Sequence, residues 1–464
     1  MSGLFDGLEV GKRALATYQL WLNTIGHNIA NVNTPGYTRQ RVTTTTTYPH
    51  DHPVGQVGTG VTAVDIHHIR DLFLNQQIRQ EGSALGRWTA SQKTIGQIEA
   101  LFAEPNADSL GDLLNQFWNS WSELSNNPES LAARNAIKEQ TNLLTSAFHR
   151  LHRQVNDLRH SIDAELTQIV GNINQMTEEI ASLNGEIART ELGTAKANDL
   201  RDKRDHIIEQ LSQYVDVNVR EQKSGAATVY FGALAVVDGT TAFALDTHSQ
   251  QDDDMRVSQI VWQGSKRNLK ITGGKIEGLT EVRDEVIPRY LAALDDIARA
   301  LVENVNAAHR AGTGLEGSSG IDFFDPRYAT AGNITLNLEI ENNVSRIAAS
   351  LSGETGDNAN ALAIAALKDS ALMSRGTATI NDYYNSLVGR LGIETGKAQS
   401  SKENYELLVA QLENARQSVQ GVSLDEEMTQ MIKFQHAYDA AARVITTMDQ
   451  ALETVIHRMG VVGT

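Results

Sequence analysis

The chain contains no cysteine. Disulfides, thiolate metal sites and thiol nucleophiles are therefore excluded. Proline is scarce, at 7 of 464 residues, which suits a chain dominated by helices, since an interior proline breaks one. No apolar run approaches the length of a membrane span. The N-terminus, MSGLFDGLEVGKRALATYQL, spaces its apolar residues and puts Asp6 and Glu9 ahead of its first basic pair. It is not a cleaved secretory signal. The chain is expected to be cytosolic or to leave the cell by a route that needs no such signal. Basic residues are in deficit: 40 Lys and Arg against 57 Asp and Glu give a net charge of −17. Phosphate backbones and anionic lipid would be repelled, so neither nucleic acid nor membrane is expected as a partner.

What is present is globular in balance, 41% hydrophobic and 21% charged. The length suggests roughly two to four domains. The chain is organised around its last segment, Ser423 to Met459. There Leu424, Met428, Met431, Phe434, Tyr438, Ala441, Ile445, Met448, Leu452, Val455 and Met459 recur at steps of three or four. That is one apolar stripe on a long helix, close to a heptad seam. Gly421 breaks what precedes it, and Ser423 with Glu426 three residues on has the spacing of a capping box. The other end matches. Leu4, Leu8, Gly11, Leu15, Tyr18, Leu22, Ile25, Ile29 and Val32 step by four and three, with Gly11 a blank. The two terminal helices are expected to pair and close the chain.

The first helix should end near Ala30. Asn31-Val32-Asn33-Thr34-Pro35-Gly36-Tyr37 carries turn chemistry. Two extended segments follow, Thr38 to Tyr48 and Gly58 to Ile69. From Leu72 to Leu211 the pattern is helical, broken at Pro105 and at Asn126-Asn127-Pro128. Its longest stripe runs from Leu151 to Ile187, with one additional step of four near Ile162, a stutter that relaxes supercoiling. Alternation and Gly punctuation between Val215 and Gly278 indicate a small β insert. Helix resumes at Ile287. Ile334, Leu336, Leu338 and Ile340 alternate as a strand would, Ala359 to Met373 reads as helix, and a long helix starts at Ile380.

The string Leu22 to Arg39, with Asn28, Asn31, Thr34, Gly36 and Tyr37 at its centre, resembles the N-terminal signature of the flagellar rod, hook and hook-associated superfamily. Gln435-x-x-Tyr438 and Ala442 to Asp449 resemble its C-terminal end. Three further strings are similar to the first hook-associated protein, the one of the hook–filament junction: Phe117-Trp118-Asn119-Ser120-Trp121 through Arg134, Leu200-Arg201-Asp202-Lys203-Arg204-Asp205, and Gly356 to Leu362. The resemblance implies a secreted structural protein of the bacterial flagellum, exported by a type III route, that polymerises through its terminal helices. It implies a ring-like homo-oligomer, with hook protein, a neighbouring hook-associated protein and a cytosolic export chaperone on the C-terminal region as partners. Other hook or rod components are the alternative within the superfamily.

Candidate sites for other chemistry do not hold up. His67 and His68 are adjacent on a strand and point to opposite faces. His149, His152 and His160 lack a third ligand at metal spacing. Asp252-Asp253-Asp254 lacks the pattern of a calcium loop, and Gly273-Gly274-Lys275 that of a phosphate loop. No serine sits in a nucleophile elbow. An enzyme on a flagellar scaffold acting on peptidoglycan would have only the β insert to house it, and roughly sixty residues are few for that. No catalytic role and no cofactor is expected.

The expectation is therefore a mainly α fold: a long antiparallel helix bundle with paired terminal coiled-coil helices and a small inserted β domain. Residues 1–35 and 424–464 would form the terminal axial domain. Residues 36–212 and 281–423 would form an elongated helical domain with short β arms, and 213–280 the insert, at the opposite end from the termini. Within the insert, the stretch from Val217 to Thr272 would be replaceable by a short Gly/Ser linker without loss of assembly. The assembly residues would be Leu15, Leu22, Ile25, Asn28, Asn31, Thr34, Gly36 and Tyr37 from the first helix and its turn. Met428, Phe434, Tyr438, Ile445, Leu452 and Val455 would come from the last.

Overall fold

A computed structural model describes residues 2–53, 55–102, 109–193, 195–252, 255–265 and 268–458. The predicted break at Pro105, Asp253-Asp254, the Leu4 side chain and the final stripe residue Met459 lie outside what it describes. The first helix, α1 (Ser2–Ala30), leads through the Asn31–Tyr37 turn into an antiparallel arm of β1 (Gln40–Thr46) and β4 (Val61–His68). The tip of the arm is a small hairpin, β2 (His50–His52) with β3 (Gly55–Val57). Four helices follow: α2 (Leu72–Phe102), α3 (Leu110–Asn126), α4 (Leu131–Thr190) and α5 (Asn198–Ser212). Ser109 and Ser130 cap α3 and α4 through their side-chain oxygens, as small polar residues do at helix starts.

The insert holds a four-stranded sheet in sequence order, β5 (Val217–Glu221), β6 (Ala227–Phe231), β7 (Leu234–Asp238) and β8 (Thr241–Ala242). A hairpin of β9 (Leu245–Asp252) and β10 (Met255–Trp262) follows. Then come α6 (Gly274–Glu281), a π-helical turn at Val282–Val286, α7 (Ile287–Ala311), α8 (Leu338–Asn342), α9 (Ala359–Ala365), α10 (Ile380–Gln420) and α11 (Leu424–Glu453), which ends in a second π-helical turn. The fold is mainly α as expected, with α1 antiparallel to α11, α2 packed along α10, and an inserted β region.

The spine is α4, 60 residues without a break. Its stripe, including Val155, Ile162, Leu166, Ile169, Ile173, Ile180 and Ile187, is buried through the stutter. Polar side chains of α4 mark what lies beside each stretch. Arg134 donates to the carbonyl of Ile347, and His149 bonds that of Ile334 at 2.9 Å. Asp163 accepts from the Ser258 backbone at 2.8 Å, Asn174 donates to Leu245 at 2.8 Å and Asn184 to Ala227 at 2.8 Å. After α4, Arg201 of α5 joins Glu191 to Glu221.

This order overturns the expected placement of the β insert. It lies against the C-terminal half of α4 and beside α5, on the side of the terminal helices. The far end is built instead from α3, α9 and residues 312–350. The expectation that the insert is replaceable also fails. Val217, Val229, Phe231, Val236, Val237 and Leu245 belong to the same continuous core as α4 and α5. Removing them would uncover Ile173, Ile180 and Ile187.

Two local assignments differ as well. The alternating run at 334–340 is not a strand. Leu336 makes a single bridge to Phe324, and then Asn337 accepts from the Glu339 N–H at 3.0 Å and starts α8. An Asn in that position competes with sheet pairing by capping a helix. The helix from Ala359 stops at Ala365, and one 3-10 turn, Ala366–Asp369, carries the chain on, so Met373 lies beyond it.

The far end contains a buried titratable group. His309 is 1% exposed. Its Nδ1–H donates to the Ile321 carbonyl at 2.7 Å, and its Nε2 accepts from the Ala348 N–H at 2.9 Å. Burial, reinforced by Arg134 and opposed by the Ile321 bond, lowers its pKa to about 4. A depressed folded-state value means that the unfolded chain takes the proton first. The contribution is complete above about pH 6.5 and is lost as pH falls from there toward about 4. Between about pH 7 and about pH 5, wild-type stability should fall by about 2 kcal/mol more than that of His309→Gln. Equal pH slopes in denaturant unfolding would refute this.

Candidate assembly site at the paired termini

The seam between α1 and α11 is tight where the sequence has glycine. A Cβ built on Gly11 would lie 2.6 Å from Ile445 Cγ1, and one on Gly7 would lie 2.9 Å from Met448 Cε. Gly11 is thus not a blank in the stripe but the hollow that receives Ile445. Toward the other end, Trp21 stacks on Phe434 with ring centroids 4.5 Å apart, and Tyr18 approaches the same ring at 6.1 Å. Leu15, Leu22, Phe434, Tyr438, Ile445, Leu452 and Val455 are half-buried in the single chain, and Ile25 is fully buried.

Met428 departs from the expectation. It is 57% exposed, and Leu424 is exposed with it. The first turn of α11 inserts Glu427 instead, and Glu427 is 2% exposed. The cause is a polar hub. Asn28 Nδ2 donates to Glu427 Oε2 at 3.0 Å, and Arg39 Nε donates to Glu427 Oε1 at 2.6 Å. Arg39 NH1 also reaches Glu426 at 2.7 Å. The expected capping box therefore does not form: Ser423 makes no side-chain cap, and Glu426 is turned to Arg39.

Asn28 is the centre of this hub. Its carboxamide donates to the Gln40 carbonyl at 3.0 Å and accepts from the Gln40 N–H at 3.0 Å. Tyr37 Oη donates to Asn28 Oδ1 at 2.7 Å. Burial, then the carboxylates of Asp199, Asp202 and Glu427, push the Tyr37 phenol above its ordinary value, so it remains a donor. Asn31 donates to the His27 carbonyl at 3.0 Å and accepts from Thr34 at 3.1 Å, closing the helix end. Thr34 and Gly36 are exposed on the turn, and Gly36 has φ of 77°, a conformation that favours glycine. From α5, Asp202 accepts from the Thr38 N–H and from the Thr38 hydroxyl, both at 2.8 Å, and lies 2.7 Å from His68.

Sequence reasoning missed Arg39, Gln40, His68, Asp202 and Glu427. The one available signal was Glu427, a carboxylate one residue from a seam position. Replacing it tests the hub. Glu427→Leu removes one acceptor from the Asn28 amide, which keeps the Gln40 carbonyl, and one from the half-buried Arg39 guanidinium, which keeps Glu426, at a cost of about 1 to 3 kcal/mol. Proteolysis at residues 421–427 should accelerate markedly in that variant. An unchanged cleavage rate would show that the hub does not hold α11 in place.

Comparison with known proteins places this geometry. The family profile described as the helical domain of the flagellar hook-associated protein FlgK matches residues 95–324. Profiles described as flagella basal body rod protein and as flagellar basal body rod FlgEFG protein C-terminal match residues 8–38 and 416–458. The flagellar hook-associated protein 1 of Bacillus subtilis (strain 168) is 34% identical, over 100% of each chain. The chain belongs to the flagellar hook-associated protein 1 family. Its counterpart from Escherichia coli (strain K12) is 25% identical over 98% of this chain and 100% of that one. The solved flagellar hook junction protein FlgK of Burkholderia pseudomallei shares the fold, with a TM-score of 0.67 at 17% identity over 74% of this chain and 100% of that chain.

As a family member the chain is a structural, secreted component of the flagellum at the hook–filament junction, and not an enzyme. The strings that carried the resemblance have physical roles. In Leu200–Asp205, Arg201 pairs with Glu191 at 2.7 Å and holds it at about pKa 2, Asp202 serves the hub, and Arg204 donates to the Gly225 carbonyl at 2.7 Å. Asp357 gathers the Leu351, Ser352 and Ala359 N–H groups, which hold its carboxyl well below the usual range. Phe117, Trp118 and Trp121 fill the core of the far end.

Proposed function

We propose that the chain joins the hook to the flagellin filament by polymerising through its terminal helices into a ring-like homo-oligomer. Hook protein would lie on one side and a neighbouring hook-associated protein on the other. Residues 1–35 and 424–464 act as the axial domain in this reading, with 36–212 and 281–423 as the outer helical domain and 213–280 as the insert. The observation that carries it is a second apolar stripe on α11. Leu424, Met428 and Ile432, spaced by four, are 46%, 57% and 54% exposed on a helix whose other face is already taken by α1. An unshielded stripe next to a filled seam calls for a further helix, and neighbouring copies supply one. The matching of both ends to rod-type profiles, and of the middle to the hook-associated one, supports the same division of labour.

A cytosolic export chaperone would cover the C-terminal stripe before export. The test is the double variant Met428→Lys, Ile432→Lys, which changes only exposed positions. It should fold yet be absent from the distal end of isolated hooks in immunogold electron microscopy, with its level in the culture supernatant separating failed assembly from failed export. Normal decoration of the hook end would remove the stripe from the assembly.

A further inference from the structure

The arm has two strands, and its two edges are treated differently. The β4 edge is occupied: Asn198 Nδ2 donates to the Ile66 carbonyl at 2.7 Å, and Thr17 Oγ1 to the Val61 carbonyl at 3.5 Å. On the β1 edge, the Asn28 carboxamide meets both the N–H and the carbonyl of Gln40, the two bonds a neighbouring strand would make there. Strand alternation, taken through the irregularity between Thr43 and Thr44, turns the backbone groups of Thr44 and Thr46 to the same edge, where both residues are exposed; Val42, aligned with them, is buried. Among the described residues nothing pairs with them.

The edge is also lightly defended. Natural edge strands are blunted by charged side chains, lysine above all, by proline or by cover, whereas Gln40–Thr46 has one exposed charge, Arg41, near its start and then four threonines in succession. A free partner exists on the same chain. Every residue of the tip hairpin strands β2 and β3 is exposed, and Tyr48 at their base is 95% exposed. Three-residue strands in a lone pair do not hold by themselves in water and gain from a third.

We infer that the open edge of β1 is a strand-docking site for the tip hairpin of a second copy of this chain. The tip cannot serve its own edge. It projects from the end of the arm beside Val10, where Gly60 packs, while the edge runs back toward Asn28. Pairing between copies is head-to-tail, as a polymer requires, and main-chain bonds supply the contact as in strand addition generally. The inference rests on the proposed self-assembly of the terminal helices.

The absence of cysteine makes the test clean. Hooks are isolated from cells producing Thr46→Cys together with Gln56→Cys, or with Asp51→Cys, and are oxidised mildly. Intermolecular disulfide multimers are expected from one of these pairs. None is expected when Leu192→Cys, on a remote exposed turn, replaces the tip cysteine. In parallel, Thr46→Pro removes an outward N–H without touching the β1–β4 ladder, a substitution edge strands tolerate. Its incorporation into hooks should fall at least about tenfold. Hooks that contain the chain in normal amount with no cross-link from either pair, or with Thr46→Pro incorporated normally, overturn the strand pairing and leave the helical assembly standing. Absence of the cysteine-free chain from hooks overturns both.

Discussion

Cells carrying Ile445→Asp are expected to have hooks without filaments and to shed flagellin into the medium. Ile445 fills the hollow at Gly11, so the substitution places a carboxylate between two helices in close contact. Ile445 is half-buried in the single chain and would be covered further by neighbouring copies in the proposed assembly, so the unpaired charge weighs mainly on assembly, by several kcal/mol. The neighbouring pair of Gly7 and Met448 gives no polar partner to receive it. Thr447 is the control: it is exposed, its hydroxyl turned back to the Arg443 carbonyl at 2.9 Å. Thr447→Asp should assemble normally. The rest of the chain has its own core along α4, so the Ile445→Asp protein should keep its helical circular dichroism. Electron microscopy of hooks and flagellin in culture supernatants decide the matter, and normal filaments on Ile445→Asp cells would separate the C-terminal seam from assembly.

The second large effect is on folding. Gly86→Ala should cost about 3 kcal/mol or more, because the new Cβ would overlap the Gln213 carbonyl. Gly278 faces the Arg87 carbonyl in the same way. Gly274, with φ of 64°, lies on the Tyr214–Val215 peptide while Lys275 and Ile276 bond the Gln213 and Tyr214 carbonyls. These neighbours are backbone and cannot rotate aside, in contrast to Ile445 at Gly11. Gly171, mid-way along α4, faces open space, so Gly171→Ala should stabilise by up to about 1 kcal/mol. Thermal unfolding of the two variants should therefore shift in opposite directions; shifts of the same sign would contradict the close packing of α2 on the end of α5.

Much of the helical frame was legible because long apolar periodicities leave few alternatives. The stripe from Leu151 to Ile187 survives its stutter in one unbroken helix. The legible part stops where side chains, rather than periodicity, decide. Asn337 turns an alternating run into a helix start. Glu427 takes the place of Met428 because Asn28, 399 residues earlier, waits for it. Gly11 looked empty because a stripe records what a helix contributes and not what it receives. The site residues Asn28 and Tyr37 were visible as a motif. Asp202 on α5, which holds the adjoining Thr38 and His68, was not, since nothing local to those two residues names a carboxylate so far along the chain.

The unbroken α4 also has a mechanical meaning. At about 1.5 Å per residue its 60 residues form a beam of about 90 Å. It is clamped at one end by Arg134 on the Ile347 carbonyl and, just past the other, by Glu191 on Arg201. No loop interrupts the path between them, so torque delivered at the far end reaches α5, and through Asp202 the foot of the arm, without passing a soft joint. The paired termini meet that path through side-chain bonds, Asp202 on Thr38 and then Asn28 and Arg39 on Glu427, so those bonds carry load between the beam and the seam.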